Sequence, residues 1–157
     1  MASLKRACNE LYERDYYGWI KAQVHALRER RFEEIDFENL AEEIDGLGKS
    51  ERRSVESHLE TLLSHLLKLS YATELSRNRN AKAWQNTIEL ARFRIRRLLD
   101  ESPSLRPELD ELFKHAYHGA RISARRRLGF PPEPLPEISP WTLGQVLDDS
   151  FVPERTD

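Results

Sequence analysis

Cysteine is nearly absent: Cys8 stands alone, which excludes an internal disulfide and a cysteine-rich zinc site and fits a reducing compartment. Glycine is missing from Lys49 through His118, and only Pro103 and Pro107 interrupt that stretch. A parallel sheet with nucleotide-binding turns needs glycines between its elements. The one Gly-x-Gly, Gly46-Leu47-Gly48, lacks a third glycine, and neither a Rossmann fingerprint nor a P-loop is present. A Gly-x-Ser-x-Gly elbow and a His-Glu-x-x-His metal helix are missing too. No run approaches the roughly 18 apolar residues of a membrane span. Lys5 and Arg6 have no apolar core behind them, so no secretory signal is expected. The familiar signatures of phosphate, hydride and acyl transfer are all wanting.

What is present is leucine and charge. The 157 residues include 22 Leu against 11 Val and Ile together, a balance that favours helices over strands. The length suits one domain with a real core. Charged residues make up 33% of the chain and nearly cancel, with 25 basic against 27 acidic side chains. The expected organisation is a single all-α domain over 1–157. Residues 1–130 are read as an antiparallel bundle of about five to six helices, and 131–157 as a proline-rich arm with a short helix packed on it.

Periodicity places the elements. Leu4, Ala7, Cys8 and Leu11 suggest a leading helix, and Tyr16, Ile20, Val24 and Leu27 a second stripe with Asp15 as its N-cap. Asp36 caps a compact helix with the apolar face Phe37, Leu40, Ala41, Ile44 and Leu47, which Gly46 and Gly48 are expected to end. Ser50 opens the strongest helix, running to about Glu74 on Val55, Leu59, Leu62, Leu63, Leu66 and Leu69. Ser76 through Asn80 reads as a turn. Trp84, Ile88, Ala91, Ile95, Leu98 and Leu99 mark the next helix. Ser102-Pro103-Ser104 separates it from another, carrying Leu109, Leu112, Phe113, Ala116, Tyr117, Ala120 and Ala124. Five of the ten residues from Pro131 to Pro140 are proline, which predicts an extended arm. Trp141, Leu143, Val146, Leu147 and Phe151 would pin it back.

The strings FENLAEEIDGLGKSE, HLETLLSHLLK, AWQNTI and DESPSLRPEL, in that order, resemble the bacterial family catalogued as domain of unknown function twenty-nine. The resemblance runs from about Tyr12 to about Pro153. It implies an all-helical, soluble bacterial protein and brings no reaction and no catalytic residues with it.

Several constellations are candidates for chemistry or binding. His58 and His65 share one side of a helix, and with Glu43 or Glu38 from the preceding helix as carboxylate partner they are the weak alternative of a metal-dependent enzyme. Seven residues separate the two rings by about 10.5 Å along the axis, too far for one ion without further ligands. His115 and His118 are three apart but lie opposite the apolar stripe. Glu42 and Glu43 diverge by about 100° on a helix and do not face one another as an acid–base pair would. Arg92 falls about 60° from the centre of its apolar stripe, so its stem should be covered and its guanidinium needs a carboxylate or several carbonyls. Glu43 is the expected partner. Glu43, His65, Lys68 and Arg92 together form a border polar cluster.

Leu90 and Phe93 lie nearly opposite that stripe, so either the helix is central or this face meets another molecule. Charge is segregated as well. Residues 61–130 hold 14 basic and 7 acidic side chains, net +7, between an acidic start and an acidic end. His118, Arg121, Arg125 and Arg126 are the candidate phosphate footprint of a nucleic-acid-associated protein, the runner-up reading. The preferred expectation is a noncatalytic, cytoplasmic module without a cofactor that binds a protein partner or itself as a homo-oligomer.

Overall fold

A computed structural model describes residues 10–127 and 135–156, with 126 and 127 described as backbone only. The described residues are mostly helical and contain no strand. None of their helices is long and apolar enough to cross a membrane. The chain divides into two compact units, Met1–Ser50 and Glu51–Asp157.

In the first unit, helical residues 10–14 precede helix α1, Tyr16–Arg28. Asp15 caps α1 as expected, its Oδ1 accepting from the Gly18 amide at 2.9 Å. The buried face is not the expected one. Trp19, Gln23 and Ala26 are buried, while Tyr16, Val24 and Leu27 are exposed. The covered stripe is rotated by roughly a quarter turn because Trp19, the largest side chain available, sets it. Trp19 Nε1 donates to Asp36 Oδ2 at 3.3 Å, and Gln23 Oε1 accepts from the Asp36 amide at 2.8 Å. Two buried groups of α1 thereby hold the residue that caps the next helix.

Arg30 has φ 57°, the left-handed conformation of a helix C-terminal residue, and the following amide of Arg31 reaches back to the Ala26 carbonyl at 2.9 Å. A short 3₁₀ turn, Phe32–Glu34, leads to Asp36. Its Oδ1 accepts from the Asn39 amide at 3.4 Å, the N-cap contact expected from sequence.

Helix α2 then runs without a break over Phe37–Tyr71, 35 residues. The expected stop at Gly46 and Gly48 does not occur. Neither glycine has a positive φ, and a Cβ at either would meet nothing within 4 Å. A glycine costs a helix about 1 kcal/mol relative to alanine, which does not break it when both flanking turns are good helix formers. Lys49 and Asp45 bridge the glycines as an i,i+4 ion pair. Gly48-Lys49-Ser50 ends a phosphate loop in other settings, but here it is helical and cannot cradle a phosphate with its amides. The first turns of α2 leave Phe37, Ile44 and Leu47 more than 60% exposed, so the expected apolar face is bare there.

The second unit holds the larger core. Val55, Leu59, Leu62, Leu63, Leu66 and Leu67 of α2 are fully buried. Helix α3, Glu74–Glu101, follows after only Ala72 and Thr73, with Thr73 Oγ1 accepting from the Ser76 amide at 3.4 Å. The polar run Ser76 to Asn80 therefore lies inside α3 and is not a turn. Asn80 satisfies its amide on the Ser76 carbonyl one helical turn back, at 2.8 Å. α3 contributes Trp84, Ile88, Ala91, Ile95 and Leu99 to the core. A 3₁₀ stretch, Pro103–Glu108, leads into α4, Leu109–Arg127, which adds Leu112, Ala116, Tyr117, Ala120 and Ala124. Residues 135–142 are non-helical, and α5, Leu143–Leu147, closes the chain with a Thr142–Gln145 capping box. Leu135 and Val146 are buried, and Trp141 packs edge-on to Phe151 at 6.2 Å between centroids. Part of the expected extended arm and the first half of the leading helix lie outside the described residues.

Candidate functional site

Helix α3 presents two chemically distinct sides. Its covered side carries Arg92, 2% exposed. The guanidinium donates to three main-chain carbonyls: Nε to Val146 at 2.8 Å, Nη1 to Asp149 at 3.3 Å and Nη2 to Phe151 at 2.9 Å. Val146 belongs to the last turn of α5, where carbonyls have no helical partner and the helix dipole is negative. A buried cation therefore meets the unsatisfied end of a helix. Burial pulls the Arg92 pKa below its usual value, and the nearby Asp149 and Asp148 charges oppose that shift. Arg96 pairs with Asp149 beside it. Ser70 anchors the far end of the same segment. Its hydroxyl donates to the Glu154 carbonyl at 2.7 Å, and its own carbonyl accepts from the Thr156 amide at 3.0 Å.

Glu43, expected as the partner of Arg92, has other neighbours. Its two oxygens accept from the Tyr12 hydroxyl at 2.5 Å and the Tyr16 hydroxyl at 2.6 Å. These bonds hold the Glu43 carboxyl below its ordinary range, and the same bond pushes the Tyr12 phenol up to about 12. Tyr12, Tyr16 and Trp19 form one aromatic cluster, with centroids 4.9–5.9 Å apart. His65 bonds the Thr61 carbonyl through Nδ1 at 2.8 Å, and Lys68 is buried at 4% exposure. Of the border polar residues, Arg92 is thus bonded to α5 and the residues after it, Glu43 to two tyrosines, and His65 to a carbonyl of its own helix.

His58 is half-buried, and desolvation, then the Arg94 charge, lowers its pKa. Among the described residues no three His, Cys, Asp or Glu side chains converge as metal ligands would. The expected phosphate footprint also changes. Arg121 is turned to its own chain, donating to the Leu135 carbonyl at 3.1 Å, because that carbonyl has no helical partner. His118 and Arg125 remain exposed, and the Arg126 side chain lies outside the described residues.

The outer side of α3 is apolar where a surface helix should be polar. Leu90 is 47% and Phe93 57% exposed, so α3 is not a central helix. Arg94 and Arg97 flank them, Arg97 pairing with Glu101 at 2.8 Å.

A second feature left no trace in the reading of the sequence. Between α4 and residues 137–143 lies a half-open groove of about 680 Å3, walled by Phe113, Tyr117, Ile138 and Leu143, with Asp110, Lys114 and Glu137 at its edges. Tyr117 donates its hydroxyl to the Pro136 carbonyl at 3.0 Å, and burial pushes its phenol up to about 12. The i,i+4 spacing of Phe113 and Tyr117 on one helix face was the available signal. Its meaning depended on where Ile138 and Leu143 lay.

The family model described as "Domain of unknown function DUF29" matches residues 11–152. The chain belongs to that family. No curated protein and no solved structure matches it. Within this DUF29 chain the matched span includes both the bare face of α3 and the groove.

Proposed function

We propose that this DUF29 chain is a noncatalytic protein-interaction module and that a second copy of itself is among its partners. In this reading the helices of the second unit form an antiparallel bundle across which the C-terminal segment is strapped, and the module works in the bacterial cytoplasm. The observation that carries the reading is the exposure of Leu90 and Phe93, two adjacent large apolar side chains on the solvent side of a helix whose core face is already complete. Apolar groups displayed together on a surface gain free energy when another surface covers them. The Arg92 and Glu43 environments support the same reading, since both charges are bonded to groups of their own chain.

A pull-down from the native host, run with and without nuclease and read by mass spectrometry, tests it. A stoichiometric protein partner that survives nuclease, the chain itself included, is expected. Partners that vanish with nuclease would move the assignment to the exposed His118 and Arg125 face.

A further inference from the structure

The groove beside α4 and the bare side of α3 both present apolar side chains, and the charged residues at their edges differ in sign. The groove is apolar along Phe113, Tyr117, Ile138 and Leu143, and its volume of about 680 Å3 lies within the range of sites that enclose a ligand. That is room for one aromatic anchor with an aliphatic neighbour, the kind of insertion on which protein interfaces depend. Tyr117 is 4% exposed and its hydroxyl is already bonded to Pro136, so it closes the floor of the groove, and the half-buried Phe113 and Leu143 and the exposed Ile138 are the surfaces an occupant would meet. Asp110 and Glu137, both exposed, stand at its edges against the single Lys114.

Phe93 with Leu90 is an exposed aromatic anchor and its aliphatic neighbour, one helical turn apart. Arg94 lies four residues from Leu90 on the same side of the helix, and Arg97, beyond Phe93, is paired with Glu101, so Arg94 is the cation of this face that the charge argument uses. Charge decides which surfaces pair. Two α3 faces brought together would set arginines against arginines, and two grooves would set carboxylates against carboxylates, both unfavourable. The unlike pairing brings Arg94 toward Asp110 or Glu137 as Phe93 enters.

From this we propose that Phe93 and Leu90 of one copy insert into the Phe113–Tyr117–Ile138–Leu143 groove of a second copy. The proposal rests on the self-association reading above and names its surfaces. The two surfaces differ, so the contact is heterologous: made twice it closes a pair, and made once per copy it builds a ring or a chain.

Two variants isolate the two halves. Phe93→Asp removes the anchor, and Ile138→Arg places a cation in the groove at a side chain already 83% exposed. Arg94→Glu is a second anchor-side variant should Phe93→Asp fail to fold. Sedimentation of each protein alone and of equimolar mixtures is the readout. The wild type is expected above the 18.5 kDa of one chain, with each variant alone at that mass or weakened by about 30-fold or more, the effect of losing a hot-spot residue. Mixing Phe93→Asp with Ile138→Arg should restore a species of twice the chain mass, because one copy keeps its groove and the other its anchor. A wild type that stays at 18.5 kDa over a wide concentration range overturns the self-association reading itself. An associating wild type whose Ile138→Arg variant also associates, or whose variants fail to complement, overturns only this pairing.

Discussion

Arg92 and Glu43 illustrate how a charged side chain on the border of an apolar face finds its partners. The wheel position of Arg92 made its burial legible, and the requirement for a carboxylate or several carbonyls followed from desolvation. The identity of the acceptors was not legible, because a carbonyl 54 to 59 residues away carries no side-chain signal. Arg92→Met should remove three bonds to main-chain oxygens and cost about 2–4 kcal/mol in urea unfolding, and Arg92→Lys should recover little of it because an ammonium lacks the planar fork. Equal stability of Arg92→Met and wild type would remove the clamp on α5. The tyrosines give a pH test. Tyr12 and Tyr117 are both raised from the ordinary 10.0 to about 12, by the Glu43 bond and by burial respectively. A raised folded value means their contribution to stability is complete below pH 10 and is lost as pH climbs toward 12. An absorbance titration should therefore show a late tyrosinate step that shrinks in Tyr12→Phe. Glu43 works in the opposite direction: its depressed value makes its contribution present at neutral pH and lost on acidification through the folded value.

At the scale of the element, sequence periodicity found the helices and misjudged where they stop. The leucine and tryptophan stripes of α2, α3 and α4 are the observed core positions, since burying large side chains at helical spacing leaves little choice of face. Gly46 and Gly48 read as a terminator because glycine commonly ends helices in the left-handed conformation, yet both are ordinary helical residues here. Replacing either by alanine should raise stability by about 0.5–1 kcal/mol, read as a higher melting temperature. A drop would mean the helix is broken there. The true left-handed residue is Arg30, invisible as a stop because it is not glycine. Arg30→Gly should stabilise the end of α1 by up to about 1 kcal/mol in thermal unfolding. The α1 face was misread for a related reason: Trp19 outweighs three smaller apolar side chains, and a count of apolar positions gives all of them equal weight.

For the molecule as a whole, the Rossmann, P-loop, nucleophile-elbow and His-Glu-x-x-His motifs are missing from the sequence, and the order of the motifs that are present is that of the DUF29 family. The exposure of Leu90 and Phe93 was half legible: the sequence placed them opposite the core stripe, but only the fold distinguished a central helix from a bare surface. The groove was not legible, since it needs α4 and a segment some twenty residues further on to meet. The segregated charge meets within one chain where Arg96 of α3 pairs with Asp149, and the proposed contact between copies would use the same unlike pairing.

The central claim, that the outer face of α3 is an interface, is tested most directly by light scattering on wild type and Phe93→Asp at matched concentrations. The account predicts a wild-type mass above 18.5 kDa that falls to 18.5 kDa in Phe93→Asp, with the variant still unfolding in one cooperative transition and losing only the concentration-dependent part of the wild-type stability. A monomeric wild type, or a Phe93→Asp protein that loses its fold as the core variants of α3 would, contradicts it.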